Sequence, residues 1–455
     1  MNVIVIVADS LRYDHVGCCG NTWIETPRLD ALAKESMLFD NAYVEGMPTL
    51  PCRTAFFTGR FTFPFRGWEP IRPDDVLLAE MLWDQGYRTA LVTDTYHMLK
   101  PGMGYARGFE HVQFIRGQEG DPYVLDETLE IDLNRYELDP DPNLKWTQHL
   151  IQYLRNRHHW TSEGDHFVAQ VMKASMRWLD TTLEQQRDKL FLWIDSFDPH
   201  EPWDPPEEYW RQYDPDYKGP DLIMPRVGKT EGYLEPHHVH HVRALYAGLV
   251  TLVDKWIGLF LDYLRDKGLL DNTLVVFTTD HGEPLGERGF IRKGCLWPYE
   301  ELSHIPLIVR HPEGVGAGQR TNAFVHTCDL MPTLLDFLGT DPTNVSEYQR
   351  PANAMHGRSF LPVIRGDVKT QWPYGLSCAR NQMWSIRDHE YTCMFWANDA
   401  NDGTVFTEFP VRKVHELELY HRPSDPEEKR NLAVEQADRA REMELTARRL
   451  AACLT

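Results

Sequence analysis

Three segments of this chain run from an apolar strand directly into ionisable residues, and that repetition restricts the fold more than any other feature. VIVIVAD (3–9), KLFLWIDSFDPH (189–200) and NTLVVFTTDHGE (272–283) each place a β-branched or aromatic run ahead of a carboxylate. Strands apolar on both faces belong in a buried, parallel sheet, and the ends of such strands meet at one crevice. Between them lie segments of helical periodicity, HFVAQVMKASMRWLDTTLEQQ (166–186) and VRALYAGLVTLVDKWIGLFLDYLRDKG (242–268), the second closed by Gly268. Strands alternating with helices predict an α/β protein with a large, mostly parallel sheet sandwiched by helices.

After HGRSFLPVIRGD (356–367) the texture changes to short alternating pieces, QMWSIRD and EYTCMFW, and then to a terminal segment rich in Glu, Arg and Ala. These predict a small antiparallel sheet with a helix. The expected division is a catalytic α/β domain over 1–366 and a small α+β subdomain over 367–455. Stretches rich in proline and charge, 121–143 and 203–241, read as loops around the mouth of the site.

A formal net charge of −21 disfavours a polyanion-binding surface, so neither nucleic acid nor an anionic membrane is an expected partner. A local cluster of metal, arginine and lysine can still bind a small anion. Met1 and Asn2 lead straight into the first apolar run, and no segment reads as membrane-spanning. The eight cysteines (18, 19, 52, 295, 328, 378, 393 and 453) lack CxxC spacing. The expectation is a cytoplasmic protein with reduced thiols; oligomeric state is open, a homo-oligomer included.

Asp9, Asp280 and His281 stand at two of the strand ends, and Thr49 opens the segment TLPCRTAFFTGR (49–60). Two carboxylates, a hydroxyl and an imidazole suit one divalent cation; a DHG triplet can also merely cap a turn. The wider set of motifs decides between these. NVIVIVADSLRYDHVGCCG, TPRLDALAKESMLFDNAYV, TLPCRTAFFTGR, DPHEPW, NTLVVFTTDHGEPLGERGF, HIPLIVR, DLMPTLLDFLG and ELYHRPSDPEEKRNLA follow one another in the order of the sulfatase family, within the alkaline phosphatase superfamily, which the chain resembles over nearly its whole length.

That resemblance implies a metal-dependent ester hydrolase acting on a small anionic ester. The family's nucleophile position, a cysteine oxidised to formylglycine, falls here on Thr49, and Cys52 lacks the sequence context for that oxidation. Threonine matches the branches that hydrolyse phosphodiesters or phosphonate monoesters; sulfuric ester hydrolysis is the alternative, and phosphotransfer a weaker one. By the same matching, Arg53, His200 and Lys293 join Thr49 as catalytic residues, and Thr95, Tyr96 and His97 contact substrate. The metal ligands are Asp9, Thr49, Asp280 and His281. One nitrogen among oxygens favours Mn²⁺, with Zn²⁺ or Fe²⁺ next and Ca²⁺ last. Ser10 stands where sulfatases carry a second acidic or amide ligand, and Asp94 to His97 replaces a G-K-W-H segment without its lysine. Asp195, Asp198, His200, His304 and His326 are available for a second metal, but their spacing is wrong, so a single ion is expected.

Overall fold

VIVIVA occupies the centre of the molecule because every one of its side chains is apolar and needs cover on both faces. In the computed structural model, which describes residues 1–63, 65–294, 297–340, 355–380, 382–397 and 417–454, this segment forms β1 (Asn2–Ala8), buried along its whole length. The strands that follow are β2 (Met37–Tyr43), β3 (Gly46–Met47), β4 (Arg88–Thr93), β5 (His111–Phe114), β6 (Leu190–Ser196), β7 (Gly228–Lys229) and β8 (Thr273–Thr278). Then come β9 (Phe290–Ile291), β10 (Leu307–Arg310), β11 (Gln319–His326), β12 (Gly375–Ala379), β13 (Met383–Arg387), β14 (Tyr391–Trp396) and β15 (Glu418–His421).

The large sheet has the order β11-β2-β10-β8-β1-β6-β4-β5. It is parallel except at β10, which runs antiparallel to both of its neighbours, so the expected α/β class with a mostly parallel sheet is what forms. Alternation along the strands divides the core in two. Ile4, Ile6, Leu192, Ile194, Val275 and Phe277 face one helical layer, while Val3, Val5, Phe191, Trp193, Leu274 and Val276 face the other. The register sets Val7 beside both Asp195 and Thr278. Consequently the chain leaves β1, β6 and β8 at one edge of the sheet, as the three motifs predict.

The longest described helix, Pro236–Asp266, begins inside the stretch expected to be loop up to residue 241. Pro236 suits a first helical turn because it has no N–H to leave unsatisfied. Gly268 follows the helix end in the left-handed region, with φ of 64°. By length and composition this helix could cross a membrane, yet 78% of its most apolar window is buried in the protein. It packs on helices Phe167–Leu183 and Pro27–Lys34 and is a core helix.

The small sheet, β15-β14-β13-β12-β3, is backed by the terminal helix Ala437–Cys453. It is antiparallel as expected, except that β12 pairs in parallel with β3, setting Cys378 against Gly46 and Ala379 against Met47. One strand of the first region is therefore part of the second sheet, and the expected boundary at 366 does not separate the two. The described cysteines are free thiols; Cys295 lies outside the described residues.

Candidate active site

Thr49 is the first residue of helix Thr49–Thr58, all of which is buried. A helix start leaves backbone N–H groups unpaired and carries positive potential, so the hydroxyl lies where negative charge is stabilised. Thr49 Oγ1 is 3.5 Å from His281 Nε2. Cys52 is fully buried in the same helix, and burial pushes its thiol well above the usual range.

Asp9 follows β1, and Asp280 with His281 follows β8. One ligand atom from each of the three lies within 4.8 Å of the others, and all three residues are buried. Backbone N–H groups of Ser10 (3.0 Å) and His281 (2.8 Å) donate to Asp280 Oδ1. The Ser10 hydroxyl donates to Asp9 Oδ1 at 2.8 Å, so Ser10 orients the first carboxylate. In the DHG triplet the glycine is required by close approach: a Cβ on Gly282 would lie 2.1 Å from the Glu301 carbonyl oxygen.

His281 Nδ1 is 2.8 Å from the Gly282 carbonyl oxygen, which fixes the proton there and turns the Nε2 lone pair toward Thr49. Burial pushes this imidazole down to about 4, against the pull of Asp280, so it is neutral. Asp9 Oδ2 is buried and accepts no hydrogen bond, its ion-pair partner being the Arg53 guanidinium 3.1 Å away. Burial and then the Asp280 charge hold the Asp9 carboxyl well above its ordinary value, against Arg53 and Lys293. A buried carboxylate oxygen that accepts no hydrogen bond, a second carboxylate, a neutral imidazole nitrogen and a hydroxyl fit one divalent cation, which Asp9, Thr49, Asp280 and His281 would hold.

Arg53, one turn along from Thr49, is fully buried among three carboxylates. Its Nη2 is 2.7 Å from Asp195 Oδ1 and 3.1 Å from Asp9 Oδ2, its Nε donates to Asp195 Oδ2 at 3.2 Å, and its Nη1 donates to Asp280 Oδ2. Asp195 also accepts from the Thr95 hydroxyl at 2.8 Å and from the Trp193 indole at 3.1 Å. Asp195 is thus fully engaged in holding the arginine. Removing it leaves Arg53 paired with Asp9 and Asp280 but strands the buried Thr95 hydroxyl, Trp193 indole and Arg53 Nε without an acceptor, so Asp195→Ala should lower stability by about 1–3 kcal/mol, read as a reduced urea midpoint at unchanged slope.

The other residues available for a second metal are dispersed. Asp198 accepts from Val168 N and the Gln118 amide, His304 is stacked between Tyr13 and Tyr43, and His326 Nε2 accepts from Leu376 N. Among the described residues only Asp9, Asp280 and His281 form a three-ligand cluster.

Lys293, just beyond β9, places Nζ between Glu283 and Glu201, the latter at 3.4 Å. Burial alone would lower the Lys293 ammonium, but these two carboxylates outweigh it and keep the charge on. Arg292 donates to the other Glu201 oxygen at 2.8 Å. His200 Nδ1 is 2.6 Å from the Glu201 carbonyl oxygen, and burial pushes the ring down to about 3, so it is neutral.

Thr95, Tyr96 and His97 follow β4 but differ in placement. Thr95 is buried with its hydroxyl on Asp195, a support of Arg53 rather than an open contact. Tyr96 is partly exposed beneath the Lys100 ammonium, 4.3 Å from its ring centroid. His97 Nε2 lies 3.0 Å from Glu119, and its ring is flanked by Trp68 and Phe197. Sequence reasoning missed Glu201, Glu283 and Glu119, and offered Asp195 only for a second metal rather than as the support of Arg53. Glu201 and Glu283 stand inside the quoted motifs DPHEPW and DHGE, where a lysine's counter-charge could have been sought.

Comparison with known proteins identifies the family and the fold. The family model described as Sulfatase matches residues 1–340, and one described as N-sulphoglucosamine sulphohydrolase, C-terminal, matches 286–452. An N-acetylglucosamine-6-O-sulfatase from Bacteroides thetaiotaomicron is 24% identical over 95% of this chain and 82% of its own. An arylsulfatase from Clostridium perfringens is 28% identical over 74% of each. The phosphonate monoester hydrolase of Agrobacterium radiobacter shares the fold, with a TM-score of 0.73 over 99% of this chain and 95% of that one at 22% identity.

Proposed function

Since this chain belongs to the sulfatase family, we propose that it is an ester hydrolase that cleaves phosphodiesters or phosphonate monoesters by direct attack of Thr49. The observation that carries the reading is a hydroxyl, not a thiol, at the head of the buried helix, 3.5 Å from His281 Nε2. One divalent ion, Mn²⁺ before Zn²⁺ or Fe²⁺ and Ca²⁺ last, would supply Lewis acidity that favours ionisation of a nearby hydroxyl and draws charge from the ester.

The residues of the chain account for the remaining steps. Thr49 Oγ forms a bond to phosphorus as the bond to the leaving oxygen breaks, giving a covalent ester. Arg53 holds positive charge beside the attacked centre, and Lys293, kept protonated by Glu201 and Glu283, is the cation available to the departing oxygen. Water then cleaves the threonine ester at phosphorus in a second displacement. A formylglycine hydrate could instead expel its group by collapsing to the aldehyde; threonine has no such route, which favours phosphorus over sulfur. With one ion rather than a two-metal clamp, a singly charged diester is also favoured over a dianionic monoester.

The expected order of kcat/KM on nitrophenyl substrates is phosphodiester or phosphonate monoester, then sulfate, then phosphate monoester. Sulfuric ester hydrolysis is the second reading, favoured by the sulfatase names of the relatives. A clear preference for nitrophenyl sulfate in side-by-side kinetics would promote it over the first.

A further inference from the structure

We propose that Gln118 and Glu119 are positioning residues that tie the loop carrying His97 to the loop carrying His200. The Gln118 side-chain amide donates to Asp94 at 3.2 Å and to Asp198 at 2.9 Å. Asp94 immediately precedes Thr95 to His97, and Asp198 stands two residues before His200. Asp94 in turn accepts from Phe197 N at 2.7 Å, closing the link between the loops. The next residue, Glu119, holds His97: its Oε2 is 3.0 Å from Nε2, while Lys100 Nζ is 3.4 Å from Nδ1. These partners assign the proton to Nε2 and leave Nδ1 to accept.

The turn that presents both side chains is itself anchored. Asp121 accepts from Gly117 N at 2.9 Å and from Arg116 at 2.7 and 2.6 Å. Asn156 donates to the Gly117 and Asp121 carbonyl oxygens, each at 2.8 Å. Within it Glu119 is buried with φ of 48°, a left-handed conformation that costs a residue bearing a Cβ. Glycine would be easier there, yet only the carboxylate reaches His97. His97 and His200 both pack on Phe197, at ring separations of 5.9 and 4.0 Å, so the clamp fixes the spacing of the two imidazoles.

This inference rests on the reading of His200 as a catalytic residue and of His97 as a substrate contact, and the test separates the two. Glu119→Gly suits the backbone and deletes the carboxylate, so Tm should be held while kcat/KM on the best ester falls about tenfold. Gln118→Ala should cost about tenfold in the wild-type background and less than about twofold in His200→Ala, the coupling expected of residues that act through one another. Equal losses in both backgrounds, or full activity in both single variants, overturn the clamp. A fully active His200→Ala instead overturns the catalytic reading of His200. In that case, or if no ester is turned over, the ring ¹⁵N shifts of His97 decide: a fixed Nε2–H tautomer in the wild type, retained in Gln118→Ala and lost in Glu119→Gly, supports the clamp, and unchanged shifts in Glu119→Gly sink it.

Discussion

Thr49→Ala is expected to fold, to keep metal binding through Asp9, Asp280 and His281, and to lose turnover by on the order of a thousandfold or more. The reason is positional as well as chemical. The hydroxyl sits at the start of a helix in which every residue is buried, and the other candidate nucleophiles in that helix are engaged elsewhere: the Cys52 thiol is enclosed in the core and held protonated by burial, the Thr54 hydroxyl is bonded to Tyr105, and the Thr58 hydroxyl donates to the Thr54 carbonyl oxygen. Thr49→Ser should keep measurable turnover, because it conserves the hydroxyl and loses only a methyl group. Intact-protein mass spectrometry should show an unmodified Thr49, no formylglycine at Cys52, and a covalent phosphoryl adduct on the wild type trapped with a slow substrate. Near-normal activity of Thr49→Ala removes the proposed mechanism.

The second large effect is expected from metal removal. Chelated protein should be inactive and should recover with Mn²⁺ or Zn²⁺ but poorly with Ca²⁺, which prefers an all-oxygen shell. The neutral His281 Nε2 supplies the discriminating nitrogen. His281→Asn should accordingly weaken transition-metal binding, measured by titration of the chelated protein. Full recovery with Ca²⁺ alone would falsify the nitrogen-containing ligand set. Since Arg53 already spans Asp9, Asp195 and Asp280, the chelated protein should stay folded, so a lost signal cannot be blamed on unfolding.

The sequence is most legible where one strand carries its own evidence. VIVIVAD, FLWIDS and LVVFTTD announce buried parallel strands with carboxylates at their ends, and those ends meet as expected. Legibility fails where a role depends on what another strand brings alongside. Asp195 reads as one more strand-end acid until the register with β1 places it under Arg53. Gln118 and Glu119 lie in a segment without periodicity, and their function comes from a turn that only tertiary anchoring explains. The start of helix Pro236–Asp266 is hidden because PHHVHH is polar and the apolar rhythm begins only at Val242. A two-residue strand such as β3 is too short to leave any pattern at all.

That short strand has a consequence for how the enzyme can be rebuilt. Gly46 and Met47 pair with Cys378 and Ala379, and Thr49 comes two residues later, so the proposed nucleophile hangs from the sheet formed by the last part of the chain. A chimera joined at residue 366, taking its tail from a relative, replaces the partner strand against which Thr49 is registered. Such hybrids should be expressed yet catalytically poor unless residues 46–47 and 375–379 are exchanged together, because the two distant stretches pair as one structural unit.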